Sequence, residues 1–192
     1  MFEYKHIRNI NANNLFNSLI FNTLVVNFTQ NMTTKITLPE HLREYLQGKF
    51  CDFEDKSVRF PDNCDLYHTL YDLLEKRPAD CPIDRGNVEI FLPKRSCGKQ
   101  PETYNYLGTR SQSILKQRIE LMMLAELHDL IDEQKHRYGI NYIDSVHGFM
   151  LRYGIESLTE DAFLKNYYRW RQQVRRKEKK REYRRKNHTE QV

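Results

Sequence analysis

Between residues 109 and 138 apolar side chains recur every three or four positions, at Ile114, Leu115, Ile119, Met122, Met123, Leu127, Leu130 and Ile131, and no proline or glycine intervenes before Gly139. That spacing lays one broad apolar stripe along a long helix. Thr109 or Ser111 can cap its start and Gly139 can end it. The methionines in the stripe read as ordinary core rather than as a partner groove. A second helix follows from Asn141, with Tyr142/Ile143, Val146, Phe149/Met150 and Tyr153 on its apolar face and Gly154 as its C′ residue. Thr159 then caps a third helix, and Glu160 and Asp161 lie in its first turn, where the positive end of the helix dipole favours acids. Phe163, Leu164, Tyr167, Trp170 and Val174 form the inward stripe of this helix. From Arg175 onward no large aliphatic residue recurs, so the helix is expected to leave the body and run into solvent.

The N-terminal half is patterned in shorter pieces. Leu42, Tyr45 and Leu46 have helical spacing, with Pro39 at the helix start and Gly48 as its expected end. Residues 57–61 read as a short strand stopped by Pro61. Asp62 is expected to begin a helix, with Asp65 completing a capping box and Leu66, Tyr67, Leu70, Leu73 and Leu74 on one face before Pro78. Residues 87–93 alternate at Val88, Ile90 and Leu92, the clearest strand pattern in the chain. Lys94, Arg95 and Lys99 then read as a solvated loop rather than as phosphate contacts, and Tyr104 and Tyr106 as a seal before the next helix. The predicted fold is mainly α (α+β): a helical body with one long central helix, a small 2–3-stranded sheet in the N-terminal half and a basic C-terminal helix. The division expected is 32–108 as a small mixed region, 109–174 as a helical region with a helix-turn-helix-like pair at 142–170, and 175–192 as a basic helical tail.

Composition changes this picture at the N-terminus. Residues 1–31 hold eight Asn against six in the following 161, and Asn17, Asn22 and Asn27 interrupt their apolar run. The run is too short for a bilayer and lacks a small-residue cleavage site. The expectation is a poorly ordered leader or mis-assigned start, with the working protein beginning at Met32. The four cysteines form no C-x2-C pair, which points away from a zinc ribbon or finger and favours reduced thiols in a cytoplasmic protein.

Charge supplies the one feature with a functional direction. From Arg169 to Lys186 eleven Lys or Arg face only two acids, Glu178 and Glu182, a local net of +9 in a chain of +5, so the remainder sums to −4. A stripe of this density is the electrostatic footprint of a phosphate-backbone partner. The candidate nucleic-acid-binding residues are Lys165, Tyr168, Arg169, Arg171, Arg175, Arg176, Lys177, Lys179, Lys180, Arg181, Arg184, Arg185 and Lys186. Tyr167, Trp170 and Val174 share the inward face with Phe163 and are core, while Tyr168 is the free stacking ring and Arg169 and Arg171 lie on the outer face.

Other chemistries find less in the chain. His128, Asp132 and His136 stand at i, i+4 and i+8, and Glu133 to His136 matches half of a di-iron motif, but the other Glu-x-x-His, Glu3 to His6, falls in the expected leader and no metal or cofactor is expected. The His-x-x-Arg pairing of strand-transfer enzymes and the His-hydrophobic-His triplet of rolling-circle nucleases are both missing, which points away from an enzyme. With Gly154 as a turn glycine, the buried aliphatic of a standard helix-turn-helix would fall on Glu160, so a divergent or merely similar helical pair is expected rather than the standard motif. A membrane-surface role is disfavoured because the basic helix has no apolar face beyond Val174. The partner expected is nucleic acid, DNA favoured over RNA, with no membrane; an acidic protein or a second copy of the chain is the alternative.

The stretch LRYGIESLTEDAFLKNYYRWR, with PETYNYLG upstream, resembles small uncharacterised basic proteins of bacterial phages and integrative mobile elements over roughly residues 32 to the C-terminus. The resemblance implies a nucleic-acid-associated accessory role and carries no activity onto particular residues.

Overall fold

In the computed structural model, which describes residues 33–51, 57–81 and 84–189 (184–189 by backbone alone), seven elements follow one another. They are β1 (Thr33–Ile36), α1 (Glu40–Phe50), α2 (Asp65–Leu73), β2 (Val88–Phe91), α3 (Thr109–Tyr138), α4 (Tyr142–Tyr153) and α5 (Glu160–Thr189). The arrangement is mainly helical with a two-stranded sheet in the N-terminal half, as the hydrophobic pattern predicts. The expectation for residues 1–31 lies outside the described residues. The chain forms two units, one from the residues up to Leu38 and Phe50–Lys116, the other from Pro39–Lys49 and the chain from Gln117 onward.

In the first unit β1 pairs antiparallel with β2, Thr33 opposite Phe91 and Ile36 opposite Val88. Thr34, Ile36, Val88 and Ile90 point inward, while on the outer face Thr33 donates to Glu89 at 2.7 Å and Lys35 pairs with Glu89 at 3.5 Å. Pattern reading passed over β1 because its alternation is carried by threonines and runs directly into the proline of the next helix. The strand expected at 57–61 is reduced to Val58, which takes one parallel bridge to Ile90 and one antiparallel bridge to Cys51. Nor does α2 begin at Asp62. The Cys64 amide donates to the Pro61 carbonyl at 2.9 Å and closes a turn, so the helix starts at Asp65 with no side-chain cap.

The end of α2 is held by Lys99. Its ammonium donates to the carbonyls of Tyr71 (3.1 Å), Asp72 (2.6 Å) and Leu74 (2.8 Å), acceptors that a helix C-terminus leaves without partners. Beside it Arg95 stacks on Tyr71 at 3.9 Å and shares a 2.7 Å hydrogen bond with His68. The loop between β2 and α3 is therefore tied down at two of its three cations rather than simply solvated, with Lys94 left exposed.

In the second unit α1, the part of α3 beyond Lys116, α4 and α5 pack around Leu42, Leu46, Ile119, Leu127, Phe149 and Phe163, all at most 2% exposed. Gly48 does not end α1, which continues to Phe50. Its place is explained by proximity: a Cβ there would lie 2.7 Å from Tyr153 Cα, so only glycine lets α1 lie against the end of α4. That α4 end turns at Gly154, whose left-handed φ of 62° is costly for other residues, and Ile155 follows it back into the core. Asn141 flanks α4 as expected, but through its carbonyl, which accepts from the Ser145 amide and hydroxyl at 3.1 Å each, and not through its side chain.

Candidate nucleic-acid interface

The candidate surface lies on α5, whose two halves differ in what surrounds them. The Thr159 hydroxyl accepts from the Ala162 amide at 3.4 Å, so the helix starts where the sequence places its cap. Phe163 and Tyr167 are buried, and Phe163 meets the edge of Phe149 at 6.2 Å. The Tyr167 hydroxyl donates to Asp132 of α3, and burial together with that carboxylate pushes the phenol well above its ordinary pKa. Trp170 is half-buried and stacks on His128 at 4.4 Å and 26°. Val174, half-exposed, is the last inward apolar residue.

Arg171 differs from expectation. It is turned toward α4, donating to the Tyr142 hydroxyl at 2.7 Å with its guanidinium 5.8 Å from that ring's centre. Arg169 is exposed. The two positions are two residues apart, some 200° around a helix, which is why one faces out while the other packs. Tyr168 is 45% exposed, with its edge toward Tyr142 at 6.1 Å, and Lys165 pairs with Asp161 at 2.6 Å on the open surface.

Every residue from Arg175 to Tyr183 is exposed, including Arg175, Arg176, Lys177, Lys179, Lys180 and Arg181. Among the described residues none of these makes a hydrogen bond or ion pair with another. The helical backbone continues through Arg184, Arg185 and Lys186. The structure thus places all thirteen sequence-selected residues on one helix, where Arg171 is bonded to Tyr142, Lys165 pairs with Asp161 and Tyr168 lies against Tyr142. Pattern reading missed Lys135, whose ammonium lies 5.4 Å from the Tyr142 ring and adds a second cation beside Arg171 at the α4–α5 contact.

His128 has structural partners. It is 5% exposed and its Nε2 lies 3.1 Å from Asn166 Oδ1. Burial lowers its pKa below the ordinary 6.5, although Asn166, Asp132 and Asp129 oppose the shift. A histidine held neutral in the fold and free to protonate when unfolded contributes stability that is present above its unfolded pKa and is lost as pH falls. The urea midpoint should therefore decline below about pH 6.5, and His128→Gln should flatten that part of the profile. Among the described residues no three His, Cys, Asp or Glu side chains gather as metal ligands would, and no helix is long and apolar enough to cross a membrane.

The first unit has its own open cleft of about 410 Å³, where Arg59 stacks over Phe91 at 4.2 Å and Tyr67 donates to the Lys94 carbonyl at 3.3 Å. It holds one carboxylate, Asp62, beside the cations Arg59 and Lys94. No protein-family model, curated protein or solved structure matches this chain.

Proposed function

We propose that the protein is a non-enzymatic, cytoplasmic nucleic-acid-binding accessory protein of a phage or mobile element, which holds the phosphate backbone through the exposed half of α5, DNA being preferred to RNA. One observation carries this reading. Six bases between Arg175 and Arg181 stand in solvent and have no hydrogen-bond or ion-pair partner among the described residues, on a helix whose other half is seated in the core by Phe163 and Tyr167. Exposed like charges at i, i+4 repel one another and weaken a helix. A polyanion relieves that repulsion and releases its own condensed counterions.

The test is duplex DNA binding, read by fluorescence anisotropy across a salt series, for the chain and for a variant with Arg175, Arg176, Lys177, Lys179, Lys180 and Arg181 all changed to Gln. Glutamine keeps the helix propensity of lysine and arginine, and these side chains are all exposed. The unaltered chain should lose about a thousandfold in affinity between 50 and 200 mM salt, and the variant should lose about five units of the log–log salt slope. Equal binding by both would remove the basis of the proposal. A second reading, a protein-interaction module, draws support from Ile143 and Leu151, 49% and 70% exposed and two turns apart on α4. It predicts DNA binding that is weak and insensitive to salt in both proteins.

A further inference from the structure

The distribution of charge around α5 carries more information than its total. With about 3.6 residues per turn, positions four apart form rows along a helix. Residues 175–182 make four such rows: Arg175/Lys179, Arg176/Lys180, Lys177/Arg181 and Glu178/Glu182. Three rows are wholly basic and one is wholly acidic. The acidic row lies roughly opposite Arg176/Lys180, and all eight side chains are exposed. Arg169, seven residues before Arg176, is exposed and continues that central basic row toward the body.

A helix docking on one flat acidic surface uses a single face, and cations on two further faces would be left in water. Three basic rows and an acidic back suit a channel with anionic walls on both sides and hydrogen-bond acceptors on its floor. The major groove of B-form DNA has that form. Its width of about 12 Å matches the 10–12 Å diameter of a helix with side chains. The minor groove, about 6 Å wide, does not admit a helix, and the major groove of A-form RNA is too narrow.

We infer, resting on the nucleic-acid reading above, that the free half of α5 lies in the major groove of duplex DNA. Arg176 and Lys180 face the base edges, Arg175/Lys179 and Lys177/Arg181 face the two phosphate walls, and Glu178/Glu182 face solvent. The acidic row fixes the rotation of the helix, since carboxylates turned to either wall would meet phosphate. Arg176 and Lys180 are chemically suited to guanine N7 and O6, the acceptors most often read by these side chains.

The test uses the full chain on a short G·C-containing duplex as DNA and as RNA of the same sequence, with dimethyl sulfate probing of the DNA at saturation. Guanine N7 lies in the major groove and adenine N3 in the minor groove. The expected result is affinity for DNA at least about tenfold above that for duplex RNA, with guanine N7 protected and adenine N3 still reactive. Arg176→Gln with Lys180→Gln should abolish N7 protection while retaining salt-dependent binding through the flanking rows. Glu178→Gln with Glu182→Gln should keep the protection and change affinity by less than about threefold. If the sixfold glutamine variant loses DNA binding while the unaltered chain binds both duplexes equally or leaves N7 reactive, the groove placement is overturned and the backbone-binding reading survives. If the unaltered chain does not bind duplex DNA, both fall.

Discussion

Replacing Tyr167 by alanine is expected to destabilise the protein by about 3–5 kcal/mol, the range for truncating a large buried aromatic. Tyr167 is fully buried, and its ring lies 5.5 Å from that of Tyr142 and 5.9 Å from that of Trp170. The truncation opens a cavity where α5 is seated and deprives Asp132 of the hydroxyl it accepts from. Tyr167→Phe separates the two contributions: it keeps the ring and should cost about 1.5–3 kcal/mol, the range for a charge-assisted hydrogen bond. Urea unfolding followed by circular dichroism measures both. A cost below about 1 kcal/mol for the alanine variant would mean that the ring does not anchor α5.

Glu126→Ala should have the next largest effect, about 2–4 kcal/mol. This carboxylate of α3 accepts from the Tyr45 hydroxyl at 2.7 Å, from the Tyr153 hydroxyl and from the Lys49 ammonium, so three donors converge on one side chain. Burial raises its pKa, but the bonds from Lys49, Tyr153 and Tyr45 outweigh burial and leave it below the ordinary 4.5. Removing it takes the carboxylate acceptor from the hydroxyl of Tyr45, a residue that is 0% exposed, while the Lys49 ammonium still donates to that hydroxyl at 3.1 Å. Glu126→Gln retains an acceptor oxygen and should cost about half as much. Because the folded pKa is depressed, the stabilisation is present above the unfolded value and disappears as pH falls through the folded one, so the difference between wild type and Glu126→Ala should shrink below about pH 4.5.

The helical half was legible because its boundaries are marked by backbone requirements as well as by hydrophobic period. Gly139, Gly154 and Thr159 announce ends and starts that lie where α3, α4 and α5 begin or stop. The sheet was harder to read. A strand of four residues such as β1 offers only two inward positions, Thr34 and Ile36, and one of them is polar by type although buried by position. Gly48 misled for a different reason. A glycine that stops a helix and a glycine that admits another backbone are the same letter, and only the approach of Tyr153 distinguishes them. On the candidate surface the bases could be counted from sequence, as could their inward neighbours. The turning of Arg171 onto Tyr142 depends on where α4 lies, which no local pattern specifies.

Glu44 has a modest place on α1, yet it accepts from the amides of Glu156 (3.1 Å) and Ser157 (3.2 Å) and from the Ser157 hydroxyl (2.7 Å), on the short connection that leads into α5. That connection is the fulcrum of a lever, because a 30-residue helix is about 45 Å long. Angular slack of about 5° at its root would carry the far end through about 4 Å, close to the spacing of roughly 3.4 Å between successive nucleotides along a DNA strand. A carboxylate more than a hundred residues upstream in sequence thus adds, at the root of α5, to the hold that Phe163 and Tyr167 give the helix, and on the proposed function narrows the register at which the basic arm would meet a polyanion.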